Sequence, residues 1–201
     1  MFSLRIANRF GFDILDSGLL YRLYAFLAFA KIDANEIKDK IRNDISFIAK
    51  HDDIAVIYKG DEITNQLRTE EIAKLASEYS IKKEVRKSLL DIQRNFYKER
   101  GLVADGRDMG TVVFRDARLK IFLSASSEVR AKRRYLELQK RGQEVNMPSL
   151  IADIKKRDLK DSSRELSPLL PAEDSHLIDS SEMSLKEVYS FTVNLIKKEF
   201  I

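Results

Sequence analysis

Residues 12–22, FDILDSGLLYR, contain a boundary between two kinds of secondary structure. Phe12–Leu15 has the apolar character of a short strand, and Asp16–Gly18 is a turn that begins with a good helix cap. We expect an apolar helix to follow, roughly over Leu19–Phe29. Because strands that alternate with helices build α/β proteins, this stretch predicts that class.

A further helix is predicted ahead of this strand. Phe2, Ile6 and Phe10 recur every four positions and Gly11 closes the run, which is the pattern of a helix with a C-terminal stop. No Ser, Thr, Asp or Asn stands before it as a cap. The predicted helix therefore has an end signal but no start signal.

Strand and helix patterns continue to alternate along the chain. Ile54–Thr64 has the pattern of a small antiparallel hairpin, and Ser184–Glu187 has the form of a capping box that opens a final helix. That helix is expected to bury Leu185, Val188, Phe191 and Leu195. The other predicted elements are helices over Glu70–Tyr79, Lys83–Lys98, Ser127–Lys140 and Ser149–Leu159, and strands over Leu102–Ala104, Leu119–Leu123 and His176–Asp179. The alternation predicts a parallel α/β sheet with the hairpin as an insertion, and ligands of such sheets bind at the carboxyl ends of the strands.

Composition narrows the classes of function. The 201 residues are 44% hydrophobic with a net charge of +4, which fits one soluble domain and a partner that carries phosphate. The absence of cysteine and the presence of only two histidines exclude disulfides, thiolate metal sites and a histidine-based zinc site. No apolar run approaches the ~18 residues of a membrane span, and the first residues do not resemble a signal peptide. We expect a cytoplasmic protein.

Polar residues follow two of the predicted strands. Ser17 and Arg22 come after the first, and residues 105–111, DGRDMGT, come after the strand at Leu102–Ala104. Small residues let a ligand approach, and the forked guanidinium groups of Arg22 and Arg107 match two phosphate oxygens. Asp108 is either an acceptor for an amino group or the salt-bridge partner of Arg107. The plainer interpretation of both segments is a capped turn and a tight loop with a local ion pair.

Two further basic clusters lie in the C-terminal half. Arg130, Arg134 and Arg141 fall on one helix face, which is either a solvated surface or a site for anions. Residues 155–164, KKRDLKDSSR, form either a lid over anionic ligands or a surface ladder of ion pairs. Several fixed positive charges are what phosphoryl transfer requires, because donor and acceptor phosphates must be neutralised while they are brought in line. No nucleophile with a paired base supports acyl or glycosyl transfer.

Taken together, the motifs resemble those of bacterial cytidylate kinases. The resemblance rests on DSGLLYR at 16–22 and DGRDMGT at 105–111, and it continues in order through KIFL at 120–123, SSEVRAKRR at 126–134 and RDLKDSSR at 157–164. It implies a P-loop-kinase-type parallel sheet flanked by helices, with a small inserted subdomain that binds the nucleoside monophosphate and contains a short antiparallel hairpin. The implied reaction transfers the γ-phosphoryl group of ATP, with Mg²⁺, to CMP or dCMP.

The resemblance also implies roles on the acceptor side. Ser17, Arg22 and Arg107 would hold the phosphate of CMP. Arg68 and Asp108 would contact the cytosine, whose exocyclic amine is a donor and whose N3 and O2 atoms are acceptors. No metal-ligating side chain is assigned.

Further implied roles fall in the C-terminal half. Arg157 and Asp161 would contact the ribose, and Arg164 would support Asp161 or the transferring phosphate. Arg133 and Arg134 would belong to a mobile lid over ATP. The residues implied in catalysis itself are Arg107, Arg133 and Arg164.

One part of the family's pattern is missing. The chain contains no G-x-x-x-x-G-K-[ST] loop, whose backbone N–H groups cradle phosphates, and the strand before that loop, central in the family's sheet, is missing as well. We expect that the written chain begins at an internal Met; the alternative is a protein that has lost catalysis. In either case very little kinase activity is expected of the chain as written, since the charge stabilisation supplied by the loop is gone.

The expected organisation is a core at 1–44, the inserted subdomain at 45–98, and the rest of the core at 99–201 with a lid around 127–165. The competing class of function is a non-catalytic nucleotide- or RNA-binding protein that uses the basic helix at 130–141. Against it, no aromatic side chains are interleaved with those arginines as a stacking platform for bases. We expect a monomer that binds CMP, dCMP and ATP, and neither nucleic acid nor a membrane.

Overall fold

The structure, a computed structural model, describes residues 1–140, 142 and 144–200. The chain forms two compact units, residues 1–109 and 110–201. The functional division into 1–44, 45–98 and 99–201, with a lid around 127–165, stays a prediction.

A pair of parallel strands organises the first unit. β1 (Asp13–Asp16) pairs with β5 (Leu102–Asp105), with Asp16 opposite Asp105. α2 (Ser17–Phe29) follows β1 without an intervening loop. Its fully buried side chains include Leu20, Leu23 and Leu27. The predicted strand and apolar helix are confirmed, but the turn predicted over Asp16–Gly18 is wrong, because Asp16 ends β1 and α2 begins at Ser17.

The helix predicted at the start of the chain is also confirmed. α1 (Phe2–Phe10) ends at Gly11, which has a φ of 69° in the left-handed region that favours glycine. No side chain caps its first turn. α1 buries Leu4, Ile6 and Ala7 and packs against β1 and β5. This packing stabilises the helix in place of a cap.

The first unit also contains a small antiparallel sheet. Its strands are β2 (Ile45–Ala49), β3 (Ile54–Tyr58) and β4 (Asp61–Glu62), in that order. Lys59 and Gly60 join the last two with φ angles of 52° and 92°, a turn whose twist matches a hairpin. The hairpin prediction is confirmed, whereas β2 is not predicted because its residues alternate weakly within a polar region.

Helices complete the first unit. Their bounds are α3 (Ala34–Asn43), α4 (Thr64–Leu67), α5 (Glu70–Tyr79) and α6 (Lys83–Arg94). The prediction for α5 is confirmed, but the end predicted for α6 at Lys98 is wrong. The backbone N–H groups of Phe96 and Tyr97 bond only three residues back, so the α-helical ladder has already stopped. Thr64 begins α4 instead of closing the hairpin, and α3 is not predicted.

The second unit has its own parallel strand pair. β6 (Ile121–Ser124) pairs with β7 (His176–Asp179), with Ile121 opposite His176. A π-helical turn over Met109–Val113 precedes β6 in the chain. The helices of this unit are α7 (Ser127–Lys140), α8 (Met147–Ser163) and α9 (Leu185–Phe200). Parallel strands flanked by helices, with a small antiparallel sheet, confirm the predicted fold class.

α9 shows one prediction confirmed and one wrong. Ser184 and Glu187 form the predicted capping box, with hydrogen bonds of 2.8 and 3.2 Å between each side chain and the other's backbone N–H. Leu185 and Phe191, predicted as core residues, are 55% and 46% exposed. The residues that α9 buries are Val188, Thr192, Val193 and Ile196. The apolar pattern identified the helix and the burial of Val188, but it was wrong for Leu185 and Phe191. Among the described residues, no helix is long and apolar enough to cross a membrane.

Candidate functional site

The two parallel strands of the first unit end side by side. Asp16 at the end of β1 lies opposite Asp105 at the end of β5. The residues that follow the two strands lie close together, because a Cβ atom added to Gly106 would lie 3.0 Å from Cβ of Ser17, the first residue of α2. Only glycine permits so close an approach at position 106. The structure therefore brings together the two polar segments that follow strands in the sequence.

Asp16 and Asp105 place two carboxylates at this edge. Oδ1 of Asp16 accepts a hydrogen bond from the backbone N–H of Leu19 at 3.0 Å and caps α2, and Ser3 donates to Oδ2 of Asp105 at 2.5 Å. Burial raises the pKa of Asp16, and the charge of Asp105 raises it further. The Leu19 N–H and two arginine charges lower that pKa only in part. The edge thus holds an acid whose ionised form is disfavoured.

Ser17 is the first residue of α2, and its side chain is held by Gln93 of α6. Both residues are buried, at 3% and 2% exposure, and Nε2 of Gln93 donates to Oγ of Ser17 at 2.8 Å. Because the serine oxygen accepts this bond, its own hydrogen can be donated to a ligand. Unpaired backbone N–H groups at the start of a helix favour an anion at the same place. Ser17 is therefore well placed to bind an anion.

Arg22 and Arg68 meet near the end of β1. Nη1 of Arg22 donates to the carbonyl of Leu67 at 3.0 Å, directly beside Arg68. The guanidinium of Arg68 pairs with Asp53, while its Nε is buried without a hydrogen-bond partner in the part of the chain that the structure describes. Both arginine charges act on Asp16. The first unit therefore brings Ser17, Arg22 and Arg68 to one region.

Asp108 is buried at 3% exposure, and the structure settles its ion-pair partner. It pairs with Arg86 of α6, not with its neighbour Arg107, so the alternative of a local ion pair with Arg107 is wrong. Arg107 itself is exposed. Neither Arg86 nor Gln93 was predicted as a site residue. Gln93 is a polar residue on the apolar face of α6, beside Val85, Leu89 and Ile92, and that position is a signal that could have identified it.

In the second unit, Arg157, Asp161 and Arg164 lie together at the end of α8. Nε of Arg157 is 3.9 Å from Oδ2 of Asp161, and Nη1 of Arg164 is 3.8 Å from Oδ1. Asp161 is buried at 4% exposure. Nε of Arg164 also donates to the carbonyl of Ser167. The cluster is an ion-pair group around one buried carboxylate.

The arginines of α7 are engaged within the second unit. Arg130 binds Asp158 of α8 with both nitrogens of its fork, one of them at 2.7 Å. Arg133 donates to the carbonyl of Ser180 at 2.7 Å, and Arg134 lies 3.1 Å from a carboxylate oxygen of Glu137. Arg141, predicted on the same face, lies outside the described residues. These bonds argue against a solvated basic face.

No group of three or more His, Cys, Asp or Glu side chains in the described residues could hold a metal ion. Magnesium is commonly held by one or two carboxylates together with phosphates of the substrate. Asp16 and Asp105, which lie opposite each other at the strand ends, carry carboxylate oxygens that fit this kind of binding.

A buried serine at a helix start, adjacent arginines and a buried carboxylate, all beside parallel strand ends, are typical of α/β proteins that bind a phosphorylated ligand. Comparison with known proteins narrows this class. The sequence model of the family described as cytidylate kinase matches residues 2–198. The chain belongs to the cytidylate kinase family, whose members are phosphotransferases.

Individual relatives agree with the family match. The cytidylate kinase of Pasteurella multocida is 42% identical over 200 residues, a match that spans 96% of this chain and 87% of that protein. The cytidylate kinase of Haemophilus ducreyi is 42% identical over 201 residues, with 98% and 90% covered. The cytidylate kinase of Pseudomonas paraeruginosa is 47% identical over 190 residues, with 91% and 83% covered. The resemblance found in the sequence is confirmed.

Proposed function

We propose that the protein acts in the ATP-dependent phosphorylation of CMP and dCMP to CDP and dCDP, and that the first unit binds the acceptor nucleotide. The observation that carries the proposal is the pairing of Asp16 with Asp105, which sets Ser17 at the start of α2 beside the segment that leads to Asp108. Ser17 and Arg107 are suited to a phosphate, and Asp108 is suited to a base.

The acceptor phosphate is assigned to Ser17, Arg22 and Arg107. The hydroxyl of Ser17 has a hydrogen to donate, because its oxygen accepts from Gln93. The start of α2 adds backbone N–H groups and the positive end of a helix dipole. The arginines neutralise the phosphate charge, which is what an attacking phosphate oxygen needs as it approaches the γ-phosphoryl group.

The cytosine is assigned to Asp108 and Arg68. A carboxylate only accepts hydrogen bonds, so it suits the exocyclic amine of cytosine and opposes O4 of uracil, which is itself an acceptor. The buried Nε of Arg68 is a donor that could serve the acceptor atoms of the base. This pair of groups accounts for a preference for cytosine over uracil.

The remaining assignments follow from the family resemblance. Arg157 and Asp161 are proposed for the ribose, with Arg164 supporting Asp161, and Arg133 and Arg134 are proposed for ATP. Bound Mg²⁺ would neutralise phosphate charge, and the carboxylates available to hold it in the first unit are those of Asp16 and Asp105. A cytoplasmic location and a monomeric state stay predictions from the sequence.

The experiment measures nucleotide binding to the 201-residue chain by isothermal titration calorimetry with CMP, dCMP, UMP and AMP. We expect CMP and dCMP to bind at least about tenfold more tightly than UMP, because a correct hydrogen bond to a charged group replaces an opposed one. Asp108→Asn should remove this difference, whereas Asp91→Asn, at an exposed carboxylate paired with Lys38, should keep it. Equal affinity for CMP and AMP would contradict the proposal.

A further inference from the structure

We propose that Gln93 of α6 is the positioning residue that directs the hydroxyl hydrogen of Ser17 toward the phosphate of the acceptor nucleotide. The inference rests on the proposed function, which assigns Ser17 to that phosphate, and extends it to a residue that acts through Ser17. Gln93 lies 76 residues after Ser17 in the chain, and the fold brings the two side chains into contact.

Gln93 is a polar residue in apolar surroundings. It is 2% exposed, and it lies one helical turn after the fully buried Leu89 and directly after the buried Ile92. Glutamine is seldom so deeply buried, because its amide group must keep hydrogen bonds that water would otherwise supply. An apolar side chain would fill the same position on α6 without that requirement. The group that the amide contacts therefore explains its presence better than the packing of the helix does.

The contact between Gln93 and Ser17 has a defined direction. Nε2 of Gln93 donates to Oγ of Ser17 at 2.8 Å. The serine oxygen is thereby an acceptor, so its own hydrogen must point away from the amide. Ser17 donates no hydrogen bond within residues 1–140, 142 and 144–200, which the structure describes. The hydrogen is therefore available to a ligand that offers an acceptor atom.

The surroundings of Ser17 keep its hydroxyl in this state. Ser17 is 3% exposed, so little water reaches the hydroxyl to turn it. The backbone of Gly106 also comes close, since a Cβ atom added there would lie 3.0 Å from Cβ of Ser17. A hydroxyl can donate or accept in any direction that its partners allow. With an amide donor as its protein partner, the hydroxyl of Ser17 is set to donate to the ligand.

A phosphate is the kind of ligand that benefits from this arrangement. Its oxygens accept hydrogen bonds, and Ser17 is the first residue of α2, where backbone N–H groups also favour an anion. If the hydroxyl pointed the other way, its lone pairs would face the phosphate oxygens and repel them. Loss of the amide is therefore expected to weaken the binding of the phosphate group and to leave the binding of the nucleoside unchanged.

The test compares CMP with cytidine, which differs from CMP only in lacking the phosphate. Calorimetry on the 201-residue chain measures both affinities in the parent, in Ser17→Ala, in Gln93→Met and in the double variant. Methionine removes the amide but keeps an unbranched side chain of similar length. The matched control is Gln139→Met, because Nε2 of Gln139 also donates to a hydroxyl oxygen, Oη of Tyr135 at 2.9 Å, but at an exposed position in the second unit.

We expect Ser17→Ala to lower the affinity for CMP by about tenfold, on the scale of a hydrogen bond to a charged group. Gln93→Met should lower it by about threefold or more, because the hydroxyl loses its set direction. In the Ser17→Ala background the same change should alter the affinity by less than about twofold, since the group through which Gln93 acts is gone. The affinity for cytidine should change little in every variant, and Gln139→Met should match the parent for both ligands.

The outcomes separate the inference from the proposed function. A CMP affinity that Ser17→Ala leaves unchanged overturns the assignment of Ser17 to the phosphate, and with it the role of Gln93. A loss in Ser17→Ala with no loss in Gln93→Met overturns only the role of Gln93. Equal losses for CMP and cytidine in Gln93→Met, or a loss that persists in the double variant, would show a structural role and also overturn the inference. If Gln93→Met does not fold, Gln93→Asn, whose shorter side chain withdraws the amide, takes its place in each comparison.

Discussion

The carboxyl group of Asp16 caps a helix in surroundings that disfavour its charge. Its side chain caps α2, yet burial and the charge of Asp105 raise its pKa. A carboxyl whose pKa is higher in the folded state than in the unfolded chain binds more protons when folded. Its contribution to the free energy of unfolding is therefore lost as the pH rises from the ordinary value of 3.8 through the raised pKa.

The variant Asp16→Asn tests how the charge of Asp16 affects the free energy of unfolding. Asparagine caps a helix as well as aspartate does but carries no charge. We expect the variant to have a higher free energy of unfolding than the parent above the raised pKa, with the gap closing as the pH falls toward 3.8. Urea unfolding across this pH range measures the gap.

The control is Asp33→Asn, which changes the N-cap of α3 at an exposed position. At neutral pH it should change the free energy of unfolding little, because asparagine also caps a helix. A parent that is as stable as Asp16→Asn at neutral pH would contradict the expectation.

At the scale of elements, the close packing beyond the ends of β1 and β5 depends on a small residue, Gly106. An added Cβ at Gly106 would come within 3.0 Å of Cβ of Ser17, which cannot move without shifting the start of α2. We expect Gly106→Ala to lower the free energy of unfolding by about 1–3 kcal/mol, as overpacked sites do, and to weaken CMP binding. Thermal unfolding and calorimetry measure the two effects.

Gly110→Ala is the matched control for that change. The three atoms nearest to the added Cβ would all belong to the side chain of Lys120, with Cδ the closest at 3.1 Å, and none of them to Ser17 or α2. Its effects should be smaller than those of Gly106→Ala. Equal effects of the two variants would show that the contact with Ser17 is not special.

The elements also show which helices and strands the sequence patterns predict and which they do not. The strand at His176–Asp179 and the helix at Ser127–Lys140 were predicted with the bounds that the structure has, because apolar runs and caps are local signals. α3 was missed because it buries only Ile37 and Ile41 within a charged segment. The buried face of α9 was predicted in part wrongly because the helix contains more apolar residues than a neighbouring element covers.

The same distinction applies to the site. Ser17 and Asp108 were predicted from the strand ends that precede them, which is a local rule. Their partners Gln93 and Arg86 lie 76 and 22 residues away in the chain, and no spacing in the sequence reports such pairs. The one local signal in the sequence is a polar residue on an apolar helix face, as for Gln93.

At the scale of the whole molecule, binding and turnover are expected to separate. The residues proposed for the acceptor nucleotide include Ser17, Arg22 and Arg68, which lie in one region of the first unit, while the chain contains no G-x-x-x-x-G-K-[ST] loop. We expect the 201-residue chain to bind CMP and to turn over at least about 10³-fold more slowly than a kinase that contains this loop, since the charge stabilisation that such a loop supplies is lacking.

A coupled assay of ADP release measures this turnover. The cytidylate kinase of Pasteurella multocida, assayed alongside, is the positive control. Turnover of the 201-residue chain at the rate of that control would contradict the expectation.

α6 carries a final consequence of the way the first unit is built. Arg86 and Gln93 lie two turns apart on this helix. They bind Asp108, which is proposed for the base, and Ser17, which is proposed for the phosphate. Seven residues of α-helix span about 10 Å, and a helix resists stretching. α6 therefore fixes the distance between Asp108 and Ser17, the groups proposed for the two ends of the nucleotide. One residue inserted between positions 86 and 93 would rotate Gln93 by about 100° about the helix axis relative to Arg86. We therefore expect this part of α6 to tolerate substitutions but not changes in length.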